Sequence, residues 1–192
     1  MNTCLSTSTV LPATLLKAVR PEPIRLGRNE PLHECEIGVK ARCAYLVLEG
    51  VLSIYRISSR ANEKGLGIVV RGEALGIELL EGTSWFGKAR AYKYATVQGI
   101  HKSDLTPEDI EVITSSDARR TRAVKELYAC DGIEEMMLKL FEHYPSLWTP
   151  RAARRHHSTL VAVQVASSRE MVSRVFRKWR NTKWPEKPKP RG

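Results

Sequence analysis

Two hydrophobic periods divide the chain. From about residue 21 to 104 the apolar residues fall in short runs punctuated by glycine. Tyr45 to Tyr55 reads as two runs around Gly50, Leu66 to Val70 is bounded by Gly65, Gly67 and Gly72, and Thr96 to Ile100 follows. Runs of this length, separated by polar turns such as Ser58 to Lys64, predict antiparallel strands closed into a barrel or jelly roll. From Asp104 to Tyr144 the period becomes helical. Thr106-Pro107-Glu108-Asp109 is a start signal, with Thr106 as cap, Pro107 at the first position and acids against the positive end of the helix dipole. The helix continues through Ile110 and Ile113, pauses at Ser115-Ser116-Asp117 and resumes with Ala123, Leu127 and Cys130 before ending near Asp131-Gly132. Ile133, Met136, Met137, Leu140 and Phe141 mark a further amphipathic helix, and Pro145 to Pro150 a connector.

The pattern is most informative between Ser158 and Arg180. Leu160, Val161, Val163 and Val165 are apolar, with the small Ala162 and Ala166 where two helices would cross closely. Ser167 and Ser168 interrupt this run, and Ser167-x-x-Glu170 has the form of a capping box. Behind it Met171, Val172, Val175 and Phe176 give an apolar face, while Arg169, Glu170, Ser173, Arg174 and Arg177 share a polar arc. Two short helices joined by a tight turn, the second cationic, form the layout of a helix-turn-helix whose second helix enters a DNA major groove.

Charge sharpens this picture. The chain of 192 residues carries a net charge of +10. From Pro150 onward there are twelve Lys/Arg against two Asp/Glu, which leaves nineteen of each before it. The whole excess therefore belongs to the segment with the paired helices, as expected of a polyanion-binding end on a neutral body. No apolar run approaches the ~20 residues that cross a bilayer, and the uncharged first residues lack the basic start of a signal peptide. A partly ordered leader over residues 1–20, a cytoplasmic location and no membrane partner are the expectations. Cys4, Cys35, Cys43 and Cys130 form no C-x-x-C pair, which points to reduced thiols.

Ser168-Arg169-Glu170-x-Val172-x-Arg174 resembles the recognition-helix signature of the CRP/FNR family of bacterial transcription regulators. The likeness extends, more diffusely, into the β region. Leu46-x-Leu48-x-Gly50 resembles the family's glycine hairpin, Gly72-Glu73-Ala74-Leu75-Gly76 its glycine-bounded loop, and Arg90 to Thr96 the strand after that loop. The resemblance implies a cyclic-nucleotide-binding-like barrel over residues 21–104, linker and dimerisation helices over 105–132 and a helix-turn-helix over 133–180; where the family continues into a β-hairpin wing, the three prolines and four cations of residues 181–192 read instead as a basic proline-rich tail. It implies double-stranded DNA as partner, a homodimer, and RNA polymerase as a further candidate partner. Ser168, Arg169, Glu170, Ser173, Arg174, Arg177 and Lys178 would contact DNA; Ala123, Leu127 and Cys130 would line the dimer seam.

Gly76, Glu78, Lys88 and Arg90 are the candidate effector residues, and here the chain departs from the family. Members that bind a cyclic nucleotide have Gly-Glu-Leu for the ribose and Arg-Ser for the phosphate. Ile77 follows Gly76, with Glu78 one place late, and Lys88-Ala89 stands for Arg-Ser. Lysine supplies a point charge where a guanidinium would fork onto two oxygens, so the expectation is no response to cyclic AMP. The family's iron–sulfur branch clusters its cysteines, unlike the wide spacing here. His156-His157 cannot share a metal from successive helical positions, and His33, His101 and His143 lie in no haem motif. No cofactor is expected. His-x-His on the strands, G-x-S-x-G, a P-loop and H-E-x-x-H are all missing, which argues against an enzyme. The rival to a sequence-specific regulator is a degenerate relative that contacts RNA polymerase or another regulator and holds DNA nonspecifically.

Overall fold

A computed structural model describes residues 21–59, 62–147, 157–182 and 185. The expectations for the leader with Cys4, for the end of the connector at Pro150, for His156 and, Pro185 aside, for the tail beyond Thr182 lie outside the described residues.

Five antiparallel strands form one sheet in the order β1-β5-β2-β3, with β4 on β2: β1 (Ile24–Leu26), β2 (Cys43–Ile57), β3 (Glu63–Val70), β4 (Ala74–Leu75) and β5 (Lys88–His101). The antiparallel class is as expected, but β2 and β5, of 15 and 14 residues, are longer than the runs read from the sequence, while β1 and β4 have three and two. β2 is a single strand of 15 residues, and Gly50 lies inside it rather than between two strands. The register with β5 slips beside Gly50, whose φ of 82° is left-handed and whose missing side chain would lie 2.1 Å from the Tyr94 carbonyl oxygen. Glycine thus serves a bulge that bends a long strand.

A short helix α1 (Ile77–Glu81) follows β4, and α2 (Pro107–Tyr128) begins at the expected signal. Thr106 Oγ1 accepts from the Asp109 amide at 3.2 Å, while Asp109 Oδ2 accepts from the Thr106 amide at 3.0 Å. The helix then runs unbroken for 22 residues, without the pause expected at Ser115 to Asp117. Ser116 is buried and its hydroxyl accepts from the Ala74 amide at 3.0 Å, so this serine fastens α2 to β4 instead of stopping it. α3 (Ile133–His143), α4 (His157–Gln164) and α5 (Arg169–Asn181) complete the chain.

Two apolar cores result. One lies between the sheet, α1 and the start of α2, and holds Leu46, Leu52, Trp85, Val97 and Ile113. The other gathers Ile68 and Tyr92 from the sheet with Ala123 and Leu127 of α2, Phe141 of α3, Val161 of α4 and Phe176 and Trp179 of α5. The terminal helices therefore share a core with the sheet. Each fully buried large side chain contributes about 1.5–3 kcal/mol to that attachment. Among the described residues no helix is long and apolar enough to cross a membrane.

Candidate nucleic-acid interface

α4 ends in a reversal that sets α5 against it. The Ser167 amide donates to the Ala162 carbonyl at 2.9 Å and the Ala166 amide to the Val163 carbonyl at 3.3 Å, a double closure with Ala166 in the left-handed region at φ 47°. This closure consumes the Ser167 amide and moves the cap of α5 one residue on. Ser168, not Ser167, is the N-cap, and its Oγ accepts from the Met171 amide at 3.2 Å. Glu170 does not reach back to the cap. Its carboxylate instead accepts from Arg174 Nη2 at 2.6 Å.

Val172, Phe176 and Trp179 are buried and seat α5 on the second core. Met171, expected on that face, is 40% exposed, and Trp179 takes the anchoring place one turn beyond Phe176. The Phe176 and Trp179 rings meet edge to face at 5.8 Å, and Trp179 Nε1 donates to Glu134 of α3 at 2.6 Å. Lys178 Nζ reaches the other oxygen of Glu134 at 2.7 Å. These hydrogen bonds from Lys178, then from Trp179, hold the Glu134 carboxyl below its ordinary range. Lys178 is thus turned toward its own chain. Ser168, Arg169, Glu170, Arg174 and Arg177 are exposed, Glu170, Arg174 and Arg177 on the side away from the core and Arg169 at the start of the helix, and Ser173 is half-buried. Among the described residues Arg169 and Arg177 meet no acid.

The three residues expected at a dimer seam lie elsewhere. Ala123 and Leu127 point into the chain's own core, and Cys130, half-buried, gives its thiol to the Glu126 carbonyl at 3.3 Å. Their periodicity marked a buried face correctly; what covers it is this chain.

The effector candidates separate as well. Gly76 caps α1 at φ 133°, and a methyl group there would lie 2.7 Å from the Ala44 Cα, so glycine lets α1 sit flush on β2. Glu78 lines a cavity of about 480 Å³ with Ile54, Leu66, Trp85, Asp117 and Arg120. Its Oε1 accepts weakly from the Phe86 amide at 3.4 Å, and its buried Oε2 has no partner among the described residues. Lys88 and Arg90 do not line this cavity. Lys88 pairs with Glu36 at 3.3 Å, and Arg90 forks onto Glu63 at 2.7 and 2.5 Å while lying 4.4 Å over the Tyr55 ring. Arg120, absent from the sequence expectation, is the cavity's one cation among the described lining residues, and it is paired with Asp117. Only the crossing of α2 over the sheet brings it there, and no local signal announces that.

Cys35, Cys43 and Cys130 are free thiols, and Cys43 Sγ lies 3.2 Å from His101 Nδ1. Burial raises the Cys35 and Cys43 thiols above their ordinary range.

Comparison with known proteins bears on this arrangement. No protein-family model matches the chain. The transcriptional regulator LdrP of Thermus thermophilus is 28% identical over 79% of this chain and 81% of its own length. A CRP-family transcriptional regulator from the same species superposes with a TM-score of 0.64 over 82% of this chain and 84% of its own, at 22% identity. The chain shares its fold with CRP/FNR-family regulators. FixK2 from Bradyrhizobium japonicum shares the fold at a TM-score of 0.65 and 15% identity, over 85% of this chain and 86% of that one. LdrP and the CRP-family protein are both transcriptional regulators.

Proposed function

We propose that this CRP/FNR-type chain is a sequence-specific DNA-binding regulator in which α4 and α5 form a helix-turn-helix and α5 enters the major groove. The observation that carries this reading is the division of α5: one side is fixed by Val172, Phe176 and Trp179, the other offers Glu170, Arg174 and Arg177 to solvent, and Arg169 is exposed at the start of the helix. Arg169 and Arg174 suit guanine O6 and N7, and Glu170 suits cytosine N4. The Glu170–Arg174 pair must open for this; both side chains are mostly exposed, and such pairs contribute about 0.3–0.5 kcal/mol. Ser168 keeps a free hydroxyl hydrogen for a phosphate while its oxygen caps the helix, and Ser173 and Arg177 add backbone contacts. Lys178 joins them only by leaving Glu134.

The regulator acts as a homodimer on a pseudo-palindromic site. Because Ala123 and Leu127 are inside, the outward face of α2, with Thr114, Ala118, Arg122 and Lys125, is the surface left for a partner. The barrel does not take cyclic AMP. Among the described lining residues Glu78, Glu81 and Asp117 outnumber the one cation, Arg120, and an anionic phosphate would meet that excess. Selection from a random duplex pool is the decisive experiment. A recurrent two-fold motif is expected; enrichment of no motif refutes the reading. Calorimetric titration with cyclic AMP should give no heat of binding, and micromolar affinity would reverse the statement about the ligand.

A further inference from the structure

A buried glutamine joins the DNA-reading helices to the sheet. Gln164 is the last residue of α4, in an otherwise apolar run, and is 4% exposed. Its Oε1 accepts from the Gly67 amide at 3.0 Å, and its Nε2 donates to Ser53 Oγ at 3.1 Å and more weakly to the Ile54 carbonyl at 3.4 Å. Gly67 N–H can only donate and the Ile54 carbonyl can only accept, so the orientation of this amide is forced by its neighbours.

The partners of Gln164 are the loose ends of a bulge. Ile54 pairs with Gly67 and Tyr55 with Gly65, so Leu66 is an extra residue on β3. A side chain on Gly65 would lie 2.6 Å from the Gln164 Cα, and one on Gly67, at φ 116°, would lie 2.3 Å from Arg120 Cγ. Tyr128 of α2 donates to the Gly65 carbonyl at 3.2 Å. The bulge therefore has α4 on one side and α2 on the other, with backbone approaching side chain at both glycines. Apolar contacts alone let one helix slide over a sheet at little cost, because they are non-directional. Hydrogen bonds to a bulge present at one place do not.

We infer that Gln164 is a positioning residue for DNA recognition: by engaging the bulge at Gly65 to Gly67 it fixes the placement of α4 and α5 on the barrel, and with it the spacing of the two recognition helices in a dimer. The inference rests on the DNA-binding reading above. Its test uses the full chain with Gln164→Leu, which keeps volume and removes the hydrogen bonds, and Ser53→Ala, which removes one of them from the sheet side. Binding is measured to the selected two-half-site duplex, to duplexes with the spacer altered by single base pairs, and to a lone half-site. Gln164→Leu should weaken the preferred duplex by about tenfold, in the range of coupling between separate sites, and flatten the spacing profile while leaving the half-site affinity unchanged. Ser53→Ala should do the same to a smaller extent, and exchange of the Gly67 amide hydrogen should accelerate in both. Equal losses on every duplex would show that Gln164 serves folding stability only, and an unchanged spacing profile would equally overturn the inference. A wild-type chain that selects no duplex refutes the DNA-binding reading itself. That result is distinct from a wild type that selects one while Gln164→Leu keeps its spacing.

Discussion

On the sheet, Arg90 lies over the Tyr55 ring with two nitrogens on Glu63; on α5, Arg169 and Arg177 meet no acid among the described residues. Lys88 with Glu36 on the sheet, and Arg119 with Glu73 and Arg120 with Asp117 on α2, follow the first pattern. A guanidinium already forked onto a carboxylate, with its side chain only 18% exposed, gives up that partner before it can take a phosphate. An exposed, unengaged one gives up only water. Net charge alone does not separate these states. The location of acids relative to arginines decides which part of a basic protein meets a polyanion.

The contrast can be broken most directly on α5. Arg169→Ala should cost roughly 1–3 kcal/mol on the selected duplex and relax the preference at one base pair, with little change on random DNA. Equal losses on both would remove Arg169 from base reading. Arg177→Ala is the milder and more uniform case. All sequences should weaken alike, and the slope of log K against log salt should fall by roughly one, as for one lost phosphate contact. A sequence-dependent loss would make Arg177 a base contact instead.

Two further substitutions sharpen the contrast through the frame that holds α5. Ala166→Gly should raise Tm, because a non-glycine residue in the left-handed region costs about 1–2 kcal/mol, partly offset by the greater freedom of glycine in the unfolded chain. A fall in Tm would show that the Ala166 methyl group makes a contact worth more than the strain. The smallest effect belongs to Glu134→Gln. The folded-state carboxyl lies below its ordinary value of 4.5, so its charged form stabilises the fold above that pH, and this contribution disappears as the pH falls through the folded value. The Tm of Glu134→Gln should therefore lie below wild type at neutral pH and converge with it in acid. A gap that persists at low pH would assign the effect to packing rather than charge.

What could be read beforehand divides along the range of the interactions. Thr106 with Asp109 is a contact within one turn, and the start of α2 was legible from those residues. The polar arc of α5 was legible for the same reason. Ser167 and Ser168 have the same capping chemistry, and the choice between them depends on how α4 ends, with the Ser167 amide on the Ala162 carbonyl. Ala123 and Leu127 showed a buried face, but helical spacing carries no information about whether a second chain or the sheet covers it. Gly50 read as a break because glycine punctuates strands, whereas here it bends one. Arg120 at the cavity and Gln164 on the bulge depend on contacts 97 residues apart or on helix crossings, which no local pattern encodes.

The left-handed alanine between α4 and α5 has a consequence of its own. Ala166 is held in a shape that alanine disfavours by two closing hydrogen bonds from backbone amides. The angle between the helices is therefore set within the chain itself, ahead of any contact. Whatever docks there meets a bend already made, its cost met when the chain folds.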